Sequence, residues 1–273
     1  MGIVTVDREK CVKCGACADV CPLNLINLTE KEGPSEVVWA RRACIGCGHC
    51  VCVCPEGALS HASMPPEECP GIKEELKPSL EQAKQFVRTR RSIRSYRKEP
   101  VKKETLFELI KASRYAPTGH NLQNVKWKVF YSRDRVDMLR DMVISFMKKM
   151  VEQEDPLAKA LHMDMILKGC EAGSDIILRG APHVIIAYGK SEDRIACGSC
   201  MIAMTHLDLL AQAFGLGTCW GGFIDMALGR DPSNQQLLGL PEGCISYASM
   251  MTGYPKHKYR RMPARNEPEV DFA

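Results

Sequence analysis

Residues 11–22 read CVKCGACADVCP and residues 44–55 read CIGCGHCVCVCP. Both stretches space their cysteines C-x-x-C-x-x-C-x-x-x-C and close on proline. Cys11, Cys14, Cys17 and Cys21 precede Pro22; Cys44, Cys47, Cys50 and Cys54 precede Pro55. Each cysteine recurs 33 positions on, 11 to 44 and 21 to 54, and Val6/Trp39 and Ile26/Leu59 keep that offset. The segment is an internal duplication. Each half is expected to form a short strand, a cysteine loop and a brief helical turn.

The N-terminus, MGIVTVDREK, has no apolar core of a leader and reads as a strand, so a cytoplasmic setting is expected. In a reducing compartment a thiol cluster serves metal more often than disulfides. Three thiolates at i, i+3 and i+6 on a tight loop bind three irons of one cubane, and the cysteine before proline is carried to the other cluster. The spacing therefore assigns Cys11, Cys14, Cys17 and Cys54 to one [4Fe-4S] cluster and Cys44, Cys47, Cys50 and Cys21 to a second. Gly15, Gly46 and Gly48 let backbone approach sulfide closely. Zinc would use paired C-x-x-C sets and has no use for the third cysteine or the Cys-Pro. The double run resembles bacterial two-cluster ferredoxins over residues 1–62. Cys52 is left over and is expected to be a small buried apolar residue.

Residues 63–78, SMPPEECPGIKEELKP, are rich in proline and charge, which reads as a linker; Cys69 within it has no partner at ligand spacing. Residues 79–273 then form a second domain. Ser79-x-x-Gln82 is a capping box that opens a helix with the apolar stripe Leu80, Ala83, Phe86 and Val87. From Arg88 to Lys103 there are eight cations and one acid. Within that run stand Arg90, Arg91, Ser92 and Arg94, then Pro100-Val101 and a helix with the stripe Leu106, Leu109, Ile110 and Ser113. It halts at Ala116-Pro117-Thr118-Gly119-His120-Asn121-Leu122-Gln123, and Val125–Tyr131 alternates as a strand.

This order resembles the nitroreductase family of flavoproteins, whose start reads R-x-S-x-R, P-V, A-P-S-x-x-N-x-Q-x-W; Trp127 stands two residues later than the family's tryptophan. The resemblance continues in Ala181–Tyr188, a buried strand, and in Gly215-Leu216-Gly217-Thr218-Cys219-Trp220-Gly221-Gly222, which matches the family's glycine-rich loop. It implies an α+β fold with a central, mainly antiparallel sheet, and FMN bound at the interface of a homodimer. Arg90, Arg91, Ser92 and Arg94 would touch FMN from one subunit, and Pro117, Thr118, Gly119, Asn121 and Gln123 from the other. Cys219, Trp220, Gly221 and Gly222 would approach the ring edge, and Lys258 and Arg260 would close the phosphate site.

A long helix over 193–214, with Ile202, Leu209 and Leu210 toward the core, and a strand over Cys244–Met251 complete the expectation. Cys197-x-x-Cys200 reads as packed thiols, and the helical stretch 134–168 as a lid over the substrate side. No apolar run reaches the ~18 residues of a membrane span. A net charge of +4, from 37 Lys+Arg against 33 Asp+Glu, is too small to argue nucleic-acid binding. The combination implies an iron–sulfur flavoprotein oxidoreductase. Electrons would pass from reduced ferredoxin or NAD(P)H, via two clusters and FMN, to a small organic acceptor such as a nitroaromatic or quinone. The alternatives are a relay to a protein partner, and a flavin reductase or dehydrogenase specialised for one metabolite. No side chain in the sequence demands a role as acid or base.

Overall fold

The computed structural model describes residues 2–273. The chain divides into two compact units. One comprises the residues up to Lys77 together with His120–Leu122; the other comprises Pro78–Gly119 and Gln123–Ala273.

In the first unit the duplication becomes a pseudo-symmetric pair of halves. The elements are β1 (Val4–Val6), α1 (Ala16–Asp19), β2 (Ile26–Thr29), β3 (Gly33–Glu36), α2 (Ala40–Ala43), α3 (His49–Cys52) and β4 (Leu59–His61). The strands pair across the halves, β1 with β4 and β2 with β3, both antiparallel. The small core is likewise shared, with Cys17 and Ile26 from one half and Val51 and Leu59 from the other. Gly15 and Gly48, 33 positions apart, cap α1 and α3 in the left-handed region at φ 84° and 74°. At Gly48 a Cβ would also collide with the sulfur of Met64. Residues 63–77 group with this unit, their irregular path broken by 3₁₀ turns at Pro66–Glu68 and Glu74–Leu76. Cys69 packs against the core. Cys52, expected inside, is exposed, because Val51 and not its neighbour occupies the inward side of the single-turn α3.

The second unit contains α4 (Leu80–Thr89), α5 (Lys103–Ser113), β5 (Lys126–Phe130), α6 (Arg133–Glu152), α7 (Pro156–Ala160) and α8 (Met163–Glu171). They are followed by β6 (His183–Lys190), α9 (Ala196–Ala211), β7 (Gly217–Trp220), α10 (Gly222–Arg230) and β8 (Cys244–Gly253). Four antiparallel strands lie in the order β5-β6-β8-β7. Strand β6 is buried along most of its length because both sheet faces are covered. Val184 and Ile186 point into a core with α6, α8 and α10, while Ile185 and Ala187 point into one with α5 and α9.

Three expectations are revised. Val136, Leu139, Val143 and Met147 of α6 are fully buried, so the 134–168 stretch is a core layer and not a lid. In α9 the buried stripe is Ala196, Cys200, Ala203, Met204, Leu207 and Ala211, while Ile202 is exposed; the stripe follows the helical repeat of small and apolar residues. Residues 217–220, read as loop, form edge strand β7 against the end of β8. The capping box at Ser79 is present, with Gln82 N donating to Ser79 Oγ and Ser79 N to Gln82 Oε1. Yet no residue of α4 is buried, and Leu80 and Val87 face solvent.

One fully buried histidine ties the chain before α5 to the sheet. Val101 N donates to His183 Nε2 at 2.9 Å, and His183 Nδ1 lies 3.0 Å from Tyr131 O. An Nε2 that accepts leaves the proton on Nδ1, so the ring is held as one neutral tautomer. Tyr131 stacks on the ring at 4.4 Å and donates its hydroxyl to Val101 O. Burial pushes the His183 pKa below its ordinary value, against the hydrogen bond to Tyr131. The unfolded chain therefore takes up the proton first, and stability should fall as the pH drops below about 6.5. His183→Phe keeps the stack but orphans two backbone groups, and should cost about 1–3 kcal/mol at neutral pH. Urea unfolding across this pH range should show the gap between variant and wild type narrowing on the acid side.

Candidate cluster and cofactor sites

The eight cysteines of the duplicated runs line two cavities. One, of about 360 Å³, is bordered by Cys11, Cys14, Cys17 and Cys54 together with Val6, Pro34, Ala58 and Leu59. The other, of about 460 Å³, is bordered by Cys21, Cys44, Cys47 and Cys50 together with Ile26, Ile45, His49 and His61. Each cavity thus takes three cysteines from one repeat and the fourth from the other. Backbone amides point at the exchanged sulfurs: Leu25 N donates to Cys21 Sγ at 3.3 Å and Ala58 N to Cys54 Sγ at 3.2 Å. Gly46 N donates to Cys44 Sγ at 3.4 Å, and His61 Nε2 lies 3.5 Å from the same sulfur. Such contacts to ligand atoms tune a metal centre. Among the described residues no three His, Cys, Asp or Glu side chains converge on a point as they would around a single ion. Four thiols spread around one space, with no three converging, fit a polynuclear cluster and not zinc.

In the second unit a buried carboxylate draws together two of the motifs. Asp208, on α9, is 4% exposed. Thr218 Oγ1 donates to its Oδ1 at 2.5 Å and Trp220 Nε1 to its Oδ2 at 3.3 Å, and Arg90 Nη1 lies 3.4 Å from Oδ2. Segment 90–97 runs along β7 and the end of β8. Ile93 N donates to Thr218 O at 2.7 Å, Arg97 N to Tyr254 O, and Lys256 N to Ser95 O. A Cβ at Gly217 would overlap Ile93, so glycine sets how closely this segment lies on the strand. Burial pushes the Cys219 thiol up, opposed first by Arg94 and then by Arg179. Arg179 stands in the left-handed region at φ 60°, in a turn whose Leu178 and Gly180 amides both donate to Asp175. Nearby Tyr96 Oη is buried with no partner, a donor awaiting an acceptor.

The remaining site residues are more dispersed. Arg91 caps the end of α4, its guanidinium donating to Arg88 O and Arg90 O. Ser92 bridges to Thr218. Arg88, Arg90, Arg91 and Arg265 line a cavity of about 900 Å³ with Val87, Met262 and Pro263. Lys258 and Arg260 are exposed and lie outside that lining; Arg265 is the tail cation there. After Pro117, Gln123 N donates to Thr118 Oγ1 at 3.0 Å, and Gly119 abuts Ile195. His120, Asn121 and Gln123 all have positive φ, near 50°, and such strain in non-glycine residues concentrates at functional sites. Asn121, grouped with the first unit, donates its amide to Ile45 O and Gly46 O there.

Sequence reading missed Asp208, Arg179 and Asp225. Asp208 sits on an apolar helix, and only the pairing of β7 with segment 90–97 reveals its partners. Asp225, one turn beyond Gly221, has an Oδ1 buried without a partner. Burial pushes its carboxyl up to about 6, against hydrogen bonds from Ser249.

Thiol-lined cavities in one unit and an arginine-lined cavity in the other are the sites of an iron–sulfur oxidoreductase. The profile of the nitroreductase family matches residues 87–254, and that of a 4Fe-4S dicluster domain matches residues 10–58. An NADH dehydrogenase of Thermus thermophilus is 31% identical over 188 residues, covering 63% of this chain and 86% of that protein. The crystal structure of a nitroreductase with bound FMN from Bacteroides fragilis superposes with a TM-score of 0.55 at 20% identity, covering 70% of this chain and 99% of that one. One from Desulfitobacterium hafniense, also with bound FMN, gives 0.55 at 20% identity, covering 68% and 97%. These structures share the fold of the second unit. The chain belongs to the nitroreductase family, and is an FMN-dependent oxidoreductase with a 4Fe-4S domain ahead of the catalytic one.

Two outcomes follow from these carboxylates. Asp208→Ala would leave the Thr218 hydroxyl and Trp220 indole N–H without their acceptor, a loss of about 1–3 kcal/mol; it should also shift the Trp220 fluorescence. Because Asp225 titrates higher folded than unfolded, its ionisation favours unfolding as the pH rises from about 4 to about 6. Asp225→Asn should therefore melt above wild type at neutral pH and lose that advantage in acid, as calorimetry will register.

Proposed function

We propose that this chain takes electrons from an external donor, reduced ferredoxin or NAD(P)H, and delivers them to an organic acceptor such as a nitroaromatic or a quinone. The exchange of one cysteine between the two four-cysteine cavities is the observation that carries the reading. Cys11, Cys14, Cys17 and Cys54 would hold one [4Fe-4S] cluster, and Cys21, Cys44, Cys47 and Cys50 the other. When bound, the clusters carry electrons singly at low potential, and FMN exchanges them singly or in pairs.

The protein's own part is to bind, orient and exclude water. Arg90, Arg94 and Ser92 supply the cationic and hydroxyl donors that a phosphate and a ribityl chain need, and Asp208 keeps Arg90 and Trp220 in place. Tyr96 Oη offers a buried hydroxyl. The Cys219–Gly222 segment, tied to β8 by Gly221 N donating to Ser249 O, presents backbone to a ring edge. A homodimer accounts for the apolar surface left open. Leu80 and Val87 of α4, Phe107 of α5, and Met201 and Ile202 of α9 are all more than 40% exposed. Among the described residues no helix is long and apolar enough to cross a membrane, and oxidation-prone clusters suit an oxygen-poor cytoplasm.

Anaerobic purification should give about eight irons, about eight sulfides and about one FMN per chain. Cys54→Ser should remove roughly half of the iron. Zinc in place of iron and sulfide, or iron unchanged in Cys54→Ser, would refute the assignment. Stopped-flow reduction by NADH, NADPH and reduced ferredoxin then identifies the donor, and reoxidation by a nitroaromatic or a quinone identifies the acceptor.

A further inference from the structure

The two halves of the duplication differ in how their loops meet the sulfurs. Leu25 N on Cys21 and Ala58 N on Cys54 are equivalent contacts, 33 positions apart. Cys44, however, receives Gly46 N at 3.4 Å and faces His61 Nε2 at 3.5 Å. The equivalents of Gly46 and His61 in the first half are Lys13 and Leu28. Lys13 turns its ammonium to Glu30 O and Lys31 O, and a leucine carries no donor. Among the described residues, Cys11 Sγ has no counterpart of either contact made to Cys44.

One side chain accounts for part of this difference. The half-buried Asn121 donates its amide to Ile45 O at 3.3 Å and to Gly46 O at 3.0 Å. Two carbonyl acceptors engage both amide hydrogens and settle which end of the amide is nitrogen. Ile45 O and Gly46 N belong to one peptide group, which is planar. Holding its oxygen therefore fixes where its N–H points, and that N–H points at Cys44 Sγ. Hydrogen bonds in series also polarise one another, so the amide on the oxygen strengthens the donor on the nitrogen. Gly46 stands at φ 61°, with nothing within 4 Å of where a Cβ would be; packing on that side does not hold the peptide. Asn121 keeps its own place at φ 51°, a conformation that asparagine adopts more readily than most residues.

We propose that Asn121 is a positioning residue for the cluster of Cys21, Cys44, Cys47 and Cys50, raising its reduction potential through the Ile45–Gly46 peptide. The inference rests on the cluster reading above. The family resemblance put Asn121 on the flavin, whereas both of its amide hydrogens are engaged by the cysteine loop. A reduced cluster carries one more negative charge than an oxidised one, and hydrogen bonds to its sulfurs help set the potential. A donor aimed at Cys44 Sγ stabilises the reduced state more, so the potential rises. Removing the amide lets the peptide turn, weakens that donor and lowers the potential of this cluster alone. The two copies of the duplication thereby become unequal redox centres.

The test is a potentiometric titration of the anaerobically purified full chain, reduced stepwise with dithionite and followed by the EPR signals of the reduced clusters. Cys54→Ser keeps the Cys21, Cys44, Cys47 and Cys50 set whole and identifies which signal belongs to it. Asn121→Ala should shift the midpoint of that signal to lower potential and leave the other in place. Asn121→Asp, of the same size but without amide donors, should shift it the same way. Asn121→Gln, which keeps both donors, should recover part of the shift. Midpoints unmoved in both Asn121→Ala and Asn121→Asp would overturn the proposal. So would equal shifts of both clusters in Asn121→Ala, the mark of a general loosening. Loss of FMN with both midpoints unmoved would also overturn it and return Asn121 to the flavin. Iron and sulfide are counted in every sample: wild type without them overturns the cluster reading as well, whereas both clusters present with unmoved midpoints overturns the role of Asn121 alone.

Discussion

Each four-thiol cavity of the N-terminal duplication takes three cysteines from one half and the fourth from the other. That constraint organises the whole first unit. Because Cys21 and Cys54 are carried across, the strands must pair across as well, and Ile26 must meet Leu59 in one shared core. The amide-to-sulfur bonds at Cys21 and Cys54 repeat at the same offset. A core of four main residues is too small to hold so much loop by burial alone. Where clusters are ligated, their binding couples to folding and adds to that core.

The second unit works on a different principle. A sheet buried on both faces supplies a rigid platform, and the functional segments are laid on its edges. Strand β7 and the residues just past β8 receive segment 90–97 through backbone bonds, so the arginine motif is placed by main chain before any side chain acts. Asp208 then binds helix, strand and arginine into one polar cluster within an apolar layer. A buried carboxylate holding three donors costs little only because all three are present.

Much of this was legible from residues alone. The 33-residue offset, the Cys-Pro closures and the capping box at Ser79 each have a local cause, and each recurs in the structure. The arginine, Ala-Pro and glycine-rich motifs carried the family resemblance, and that resemblance implied the antiparallel sheet. Tertiary facts were not legible. Cys52 and Ile202 are apolar by type yet exposed, since inward direction on a single-turn helix or a mostly apolar helix is decided by what packs against it. Stretch 134–168 read as a lid by its position, but the regular burial of Val136, Leu139, Val143 and Met147 makes it part of the core. Asp208 and Arg179 carry no sequence signal, because their partners lie on elements distant in the chain.

Helix α9 performs two duties with a single angular setting. Its small and apolar stripe seats it on the sheet, and the carboxylate of Asp208 emerges beside that stripe. One residue of slippage would turn the helix by about 100°, driving Thr205 or His206 inward and swinging the acid off its three donors. Insertions and deletions along this rod are therefore barred twice over, by volume and by charge. Tolerance to length change must reside in the turns that flank it.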